Sequence, residues 1–526
     1  MSWTDLHVPS VFRLWRGDGR VRHNGGMTGK TAIDATLHPP RWAPSMLRWH
    51  HTQMSWLASW KLAVQVLPRW NDRTVIDYYA TQLPGRDDII VARMPFARFV
   101  IIRSPELARH VLVSNQDNYC KGAEYDLLAV AFGRGLVTEL DDARWARNRR
   151  LVQPIFAKRN LDRFAGPMTQ AACDAVERFR RIDAAGAPVD VTEEMNRLTL
   201  DIIARTMFGT DLSGPMAAVT LSRLIPYFGI GFVTNTSRPL RALSTLLRRY
   251  GPDSKQDSYF RLPMRIMRVS SWVIAPRAMR DLRHIERVVD QLIVDHRTGA
   301  ITRNDNLLGL LIEARDPETG HGYSDLEIHD ELMTFFGAGM ETTATALAWT
   351  WKLLAEHRAV RDRLHDELDR VLGGRLPTAD DVDRLPWTKA VVAETRRVYA
   401  PITGLARVAK NDDLLGDFPI KAGTTLTIFL HGLHHNSRVW DRPDVFDPTR
   451  FLDENLGPAQ RLAALPFGAG KRMCVASGFA TMEAVLVLAT IAQRVDLDRI
   501  GNEPIKRQIS FTGGPDGPIP MQPTFR

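Results

Sequence analysis

The sequence predicts a mainly α protein of the α+β class, a helical body carrying a small β-rich subdomain. Three observations predict it. Helical periodicity dominates from about Asp142 to Tyr399, and short β-rich runs lie only outside that stretch. Turn-rich sequence from Asp441 to Gly470 then separates the last of these runs from a final apolar helix. Helices and strands segregated along the chain give α+β rather than alternating layers.

In chain order, residues 1–42 are rich in Gly, Arg and His without sustained periodicity and read as a loosely ordered extension. Residues 43–70 form a Trp-rich amphipathic segment, with Trp49, Trp56, Trp60 and Leu67 at helical spacing. A helix packed on the domain is the favoured reading there, and a membrane-interface helix the alternative. From Asp88, Ile89–Ala92 and Phe99–Ile102 read as strands, and Ser104-Pro105-Glu106 opens a helix. Thr192 is expected to cap the helix that begins with Glu193 and Glu194, and Ser324-Asp-Leu-Glu327 is a capping box. Thr424 to Leu430 returns to strand.

At 526 residues, 44% hydrophobic and 25% charged, the chain can bury an extensive core or enclose a cofactor. Length alone suggests about three domains. The motifs below spread over most of the chain and argue instead for one large domain, 71–526. Three cysteines, Cys120, Cys173 and Cys474, show neither C-x-x-C pairs nor zinc spacing, so disulfide scaffolds and zinc modules are poor readings. The net charge of +9 is scattered, without an aromatic-basic or zinc-finger pattern, and no nucleic-acid partner is expected. No signal-peptide pattern or long apolar run is present, which predicts a cytoplasmic chain. Residues 43–70 and 261–283, where arginines interleave with apolar residues, are the candidate membrane-contact segments; for 261–283 a surface helix pair is the favoured reading.

The chemistry centres on Cys474, in Phe467-Gly-Ala-Gly-Lys-Arg-Met-Cys474 just before an apolar helical run. A helix start favours a thiolate, Gly468 and Gly470 permit tight turns beside a flat cofactor, and Arg472 offers a cation to a carboxylate. A lone cysteine is more often an inert core residue, but the spacing around this one argues against that. Earlier, Ala338-Gly339-Met340-Glu341-Thr342-Thr343 lies inside the helix opened by the capping box. Its small residues permit close approach of a planar group, Gly339 is expected to admit a local bulge, and Glu341 and Thr342 supply an acid and a hydroxyl. Glu394-Thr-Arg-Arg397 places opposite charges at i,i+3, and Trp145-Ala-Arg-Asn-Arg149 places an indole and a guanidinium at i,i+4.

These motifs, in this order, resemble the cytochrome P-450 superfamily, whose Phe-x-x-Gly-x-Arg-x-Cys segment is matched at 467–474. Ala476 stands where the family usually has glycine, and Thr449 replaces the usual glutamate in Pro448-Thr449-Arg450-Phe451. The resemblance runs from about Asp88 to the C-terminus and implies haem b with Cys474 as axial ligand. It implies Phe467, Gly470 and Arg472 at the haem, with Trp145, Arg149 and Arg407 on its propionates and Lys121 as a further candidate. It assigns Glu341 and Thr342 to proton delivery, Glu394, Arg397 and Arg450 to a structural role, and Phe335, Phe336, Leu127–Phe132 and Ile402–Leu405 to an apolar pocket. The implied activity is insertion of one atom of O2 into a lipophilic substrate, by hydroxylation or epoxidation.

Only 52 residues follow Cys474, which predicts electrons from NAD(P)H through a separate ferredoxin and its reductase or a flavoprotein reductase. Arg147, Arg150 and Lys471 are candidate docking cations. The competing readings are a peroxide-using or isomerising haem-thiolate enzyme, a non-enzymatic haem- or lipid-binding protein, and a basic membrane or nucleic-acid binding module.

Overall fold

The computed structural model describes residues 51–53, 88–94, 97–122, 125–209, 276–300, 306–452, 455–507 and 512–526. The expected extension 1–42 lies outside the described residues, as do most of 43–70 and residues 261–275. The strands are β1 (His51–Gln53), β2 (Ile89–Met94), β3 (Ala97–Ile102), β4 (Tyr119–Cys120), β5 (Val189–Asp190), β6 (Gly404–Ala409), β7 (Asp413–Leu415), β8 (Phe418–Ile420), β9 (Thr425–Phe429), β10 (Val495–Arg499) and β11 (Pro520–Phe525). The helices that build the site are α1 (Tyr125–Phe132), α2 (Asp142–Val152), α3 (Lys158–Ala184), α4 (Val191–Ile203), α5 (Pro276–Arg297), α6 (Asp325–Glu356), α7 (Pro386–Val398) and α8 (Ser477–Ala492).

Six strands form one sheet in the order β1-β2-β3-β9-β6-β4, with β9 parallel to β3 and antiparallel to β6. This sheet buries Ile89, Val91, Val100, Ile102, Leu426 and Ile428 in its own small core. It matters to the site because β6 carries Arg407, and β4 leads directly to Lys121. His51–Gln53 pair parallel to Ile89–Val91, so no helix runs unbroken through 43–70. The outer edge of β2 offers that backbone hydrogen-bond partners a lone helical turn would not have.

α6 runs through the helical body and is buried on most sides. Its start is fixed by the capping box: Ser324 Oγ accepts from Glu327 N at 3.3 Å while Glu327 Oε2 accepts from Ser324 N at 2.9 Å. α8 is apolar nearly all round, as a helix enclosed by others should be, with every residue from Met482 to Ala492 buried. It shares one large core with Met168 of α3, Leu347 and Trp351 of α6 and Val391 of α7.

Two local expectations are corrected. The cap of α4 is Asp190, whose carboxylate accepts from Thr192 N at 3.0 Å and Glu193 N at 3.4 Å. A carboxylate accepts several amides at a positive helix end, and Thr192 sits inside the helix with its hydroxyl turned to Gly517 O. The second correction is at Gly339, where no bulge forms: α6 is α-helical from Asp325 to Glu356. Ile203 of α4 lies close on one side of Gly339, where a Cβ would stand 3.1 Å from its Cδ1, and the cavity borders the residue too. No helix among the described residues is long and apolar enough to cross a membrane.

Candidate active site

A cavity of about 540 Å³ lies between α6, α8 and the sheet, bordered by Cys474, Thr342, Arg407 and Arg472 together. The loop before Cys474 is built by backbone bonds. Cys474 N donates to Phe467 O at 3.0 Å and Met473 N to Gly470 O at 3.0 Å. Gly470 has φ +72°, and a Cβ there would stand 1.7 Å from Leu112 O, so only glycine fits. Phe467 borders the cavity with its ring 5.0 Å from the Arg396 guanidinium.

Cys474 borders the cavity and is exposed there, with neighbouring protein atoms crowding its sulfur from the other sides. Burial pushes its thiol above the ordinary value, outweighing a hydrogen bond from Ala476 N–H and the charges of Arg149 and Arg396. The expected thiolate stabilisation at the helix start is therefore present but smaller than the cost of desolvation. α8 itself begins only at Ser477.

At the cavity rim three cations converge. Arg472 lies with its guanidinium 4.3 Å from the Trp145 ring and donates to Asp142 at 2.7 Å, while its buried Nε has no acceptor among the described residues. Arg407 is buried and donates to Ala406 O at 2.8 Å. Lys121 donates to the carbonyls of Leu136 and Val137. Burial, then the charges of Arg472 and Arg407, hold the Lys121 ammonium well below the usual lysine range. Such a cluster suits a ligand bearing carboxylates, and two propionates on a flat macrocycle would supply further acceptors. Trp145, Arg407, Arg472 and Lys121 therefore fit the group that the motifs imply. Arg149 also borders the cavity, but its guanidinium donates to Met473 O at 2.7 Å, beside the cysteine rather than among these three.

The oxygen-side pair separates. Thr342 borders the cavity and its hydroxyl donates to Ala338 O at 2.7 Å. Glu341 is buried on another face of α6, where its Oε1 accepts from Thr512 Oγ1 at 2.5 Å. Adjacent residues on a helix point about 100° apart, which is why the two cannot share one outlook. Glu394, Arg397 and Arg450 come together as expected. Glu394 receives two bonds from Arg397, at 2.7 and 2.8 Å, with Arg450 Nε 3.5 Å away. Arg397 also donates to the carbonyls of His434, Pro443 and Val445, which ties α7 to the turn-rich stretch before the cysteine.

Of the expected pocket residues, Leu128, Phe132, Phe335 and Ile402–Leu405 border the cavity. Phe336 instead packs into the apolar core beside α5. The docking cations are engaged within the chain: Arg147 with Glu327 at 2.7 Å, Arg150 with Asp316 at 3.0 Å and Lys471 with Asp117 at 2.7 Å.

Sequence reasoning missed Ile203 at the end of α4, Thr206 and Met207 in the turn just after it, and Arg396 and Glu483, all of which border the cavity. Glu483 is fully buried, and burial raises its carboxyl to about 8 against a bond from Thr343 and the charge of Arg396. The sequence holds a faint signal for it, a lone glutamate inside the apolar run Phe479–Ala492.

The family Cytochrome P450 matches residues 78–515. "Putative cytochrome P450 132" of Mycobacterium tuberculosis (strain CDC 1551 / Oshkosh) is 33% identical over 431 residues, 80% of this chain and 87% of that protein. "Cyclooctat-9-en-7-ol 5-monooxygenase" of Streptomyces melanosporofaciens is 30% identical over 445 residues, 84% of this chain and 89% of that protein. Among solved structures, the heme domain of cytochrome P450DA superposes with TM-score 0.72 at 26% identity, covering 88% of this chain and 95% of that one. The chain belongs to the cytochrome P450 family, as a monooxygenase of a family that holds haem through a cysteine thiolate.

Proposed function

We propose that the chain inserts one oxygen atom of O2 into a C–H or C=C bond of an apolar, polycyclic terpenoid-like substrate, with Cys474 as the haem ligand. The other oxygen atom leaves as water, and two electrons come from NAD(P)H through a separate ferredoxin or flavoprotein. The observation that carries this reading is one cavity bordered by Cys474, by Thr342 and by the cations Arg407 and Arg472. Haem bound there would supply the redox chemistry of oxygen activation.

The chain's own residues bind and orient. Leu128, Phe132, Leu136, Val137, Ile203 and Met207 give the cavity an apolar wall, which favours a lipophilic substrate and excludes water. Thr342 holds a hydroxyl at the cavity face of α6, and Glu341 one position before it is the candidate proton donor, hydrogen-bonded to Thr512. The relative acting on cyclooctat-9-en-7-ol, by its name a cyclic alkenol, supports a ring-system substrate over a linear one. The cytoplasm is the proposed location.

The test is turnover of cyclooctat-9-en-7-ol under ¹⁸O2 with NADPH, ferredoxin and ferredoxin reductase. A product carrying one ¹⁸O atom supports the reading; a product whose new oxygen comes from water sinks it. Glu341 faces Thr512 rather than the cavity, which favours a second reading, a peroxide-driven enzyme. Turnover sustained by H2O2 but not by the reductase system would establish that one.

A further inference from the structure

We infer that Glu331, together with Asp330, is a positioning residue that fixes the loop 133–137, whose Leu136 and Val137 form part of the cavity wall. Glu331 is completely buried on α6 and takes no part in the chemistry described above. Its Oε2 accepts from Leu136 N at 3.0 Å and its Oε1 from the Asn148 side chain at 3.2 Å. One residue earlier, Asp330 Oδ2 accepts from Arg134 N at 2.8 Å. Two consecutive carboxylates thus hold alternate amides of one loop.

The loop lies flush on the helix. A Cβ at Gly133 would stand 1.9 Å from Asp330 Oδ1, and one at Gly135 would stand 2.1 Å from Thr334 Oγ1. Glycines at both positions are what allow the amides to reach the carboxylates. Thr138 Oγ1 donates back to Gly133 O at 2.7 Å and Gly135 O at 3.1 Å, closing the loop on itself.

The consequence is geometric. Glu331, Thr334, Ala338 and Thr342 recur at three- and four-residue steps and share one face of α6. Thr334, Ala338, Thr342, Leu136 and Val137 all border the cavity. The clamp therefore sets the wall in register with Thr342, about 16 Å away along the same rigid helix. It also places the Leu136 and Val137 carbonyls that receive Lys121.

Burial raises the Glu331 carboxyl to about 8, and a buried acid is a costly way to gain stability, since an apolar side chain of similar size often serves as well. Its value here is directional: it accepts a backbone amide that no apolar side chain could satisfy. For its effect on substrate the inference rests on the proposed function, whereas the clamp itself does not.

The test uses the full chain. In the wild type, the Leu136 amide should be protected from hydrogen exchange well beyond an open loop. In Glu331→Ala its exchange should quicken about 10-fold or more, with the amides of 345–349 in α6 unchanged. The isosteric Glu331→Gln, which keeps one acceptor, should lie between. In haem-loaded protein the affinity for 4-phenylimidazole, which must pack on the wall, should weaken by about 10-fold, with that for imidazole changing less than about 2-fold.

An unprotected Leu136 amide in the wild type overturns the clamp, even if Glu331→Ala fails to fold. Equal loss of both imidazoles overturns it too, since that pattern reports haem loss rather than a displaced wall. A protected Leu136 in a chain that turns over no substrate would remove the proposed function and leave the clamp standing.

Discussion

Thr512 Oγ1 donates to Glu341 Oε1 at 2.5 Å, so a residue near the C-terminus fixes the acid beside Thr342. This contact holds Glu341 on the face of α6 away from the cavity, so that its reorientation becomes part of any role in proton supply. Glu341→Gln should lower coupled turnover by about 100-fold, the low end of general-acid effects, while leaving the haem spectrum unchanged. Product formed per NADPH consumed, with H2O2 measured alongside, checks it. Unchanged coupling would assign Glu341 to structure alone.

Lys121 predicts opposite effects on the free and the haem-bound protein. Burial beside Arg472 and Arg407 disfavours its charge, so Lys121→Met should raise the melting temperature of haem-free protein. The same change removes a charge-assisted partner for a propionate, worth about 1.5–3 kcal/mol. Transfer of haem to apomyoglobin should accordingly be about 10-fold faster or more.

Buried histidines should make the fold acid-labile. Burial, helped by Arg397, holds His434 and His435 down to about 3, whereas in the unfolded chain each titrates near about 6.5. The unfolded state therefore takes up protons first as pH falls. The stability due to these groups is complete above about pH 6.5 and is lost on descent towards about pH 3, at about 1.4 kcal/mol per pH unit for each histidine. Urea midpoints across that range measure the slope, and His435→Phe should flatten it.

The pair Glu394 and Arg397 is almost wholly excluded from solvent. Arg397→Ala leaves Glu394 buried beside Arg450 alone and strips three carbonyls of their donor. A loss of about 3–5 kcal/mol is expected, read by equilibrium denaturation. A loss below about 1 kcal/mol would show that the pair behaves as a surface ion pair.

Much of this was legible in the sequence because it is local. The capping box at Ser324, the glycine loop before Cys474 and the i,i+3 pair Glu394/Arg397 are short-range patterns, the last two given their roles by the resemblance. Thr192 misled because Asp190, two residues earlier, offers a stronger acceptor at the same helix end. What stayed hidden is contact between distant segments. Nothing in Gly133-Arg134-Gly135 announces that its amides meet Asp330 and Glu331, and nothing near Glu341 points to Thr512. Arg149, which the resemblance assigns to a propionate, donates to the Met473 carbonyl, 324 positions away.

The central claim is that Cys474 holds the iron, and the reduced carbon-monoxide difference spectrum tests it most directly. Haem-replete wild type should give a band near ~450 nm, and Cys474→Ala should lack it while still binding haem or folding without it. Absence of the band in haem-replete wild type, or its persistence in Cys474→Ala, would contradict the account.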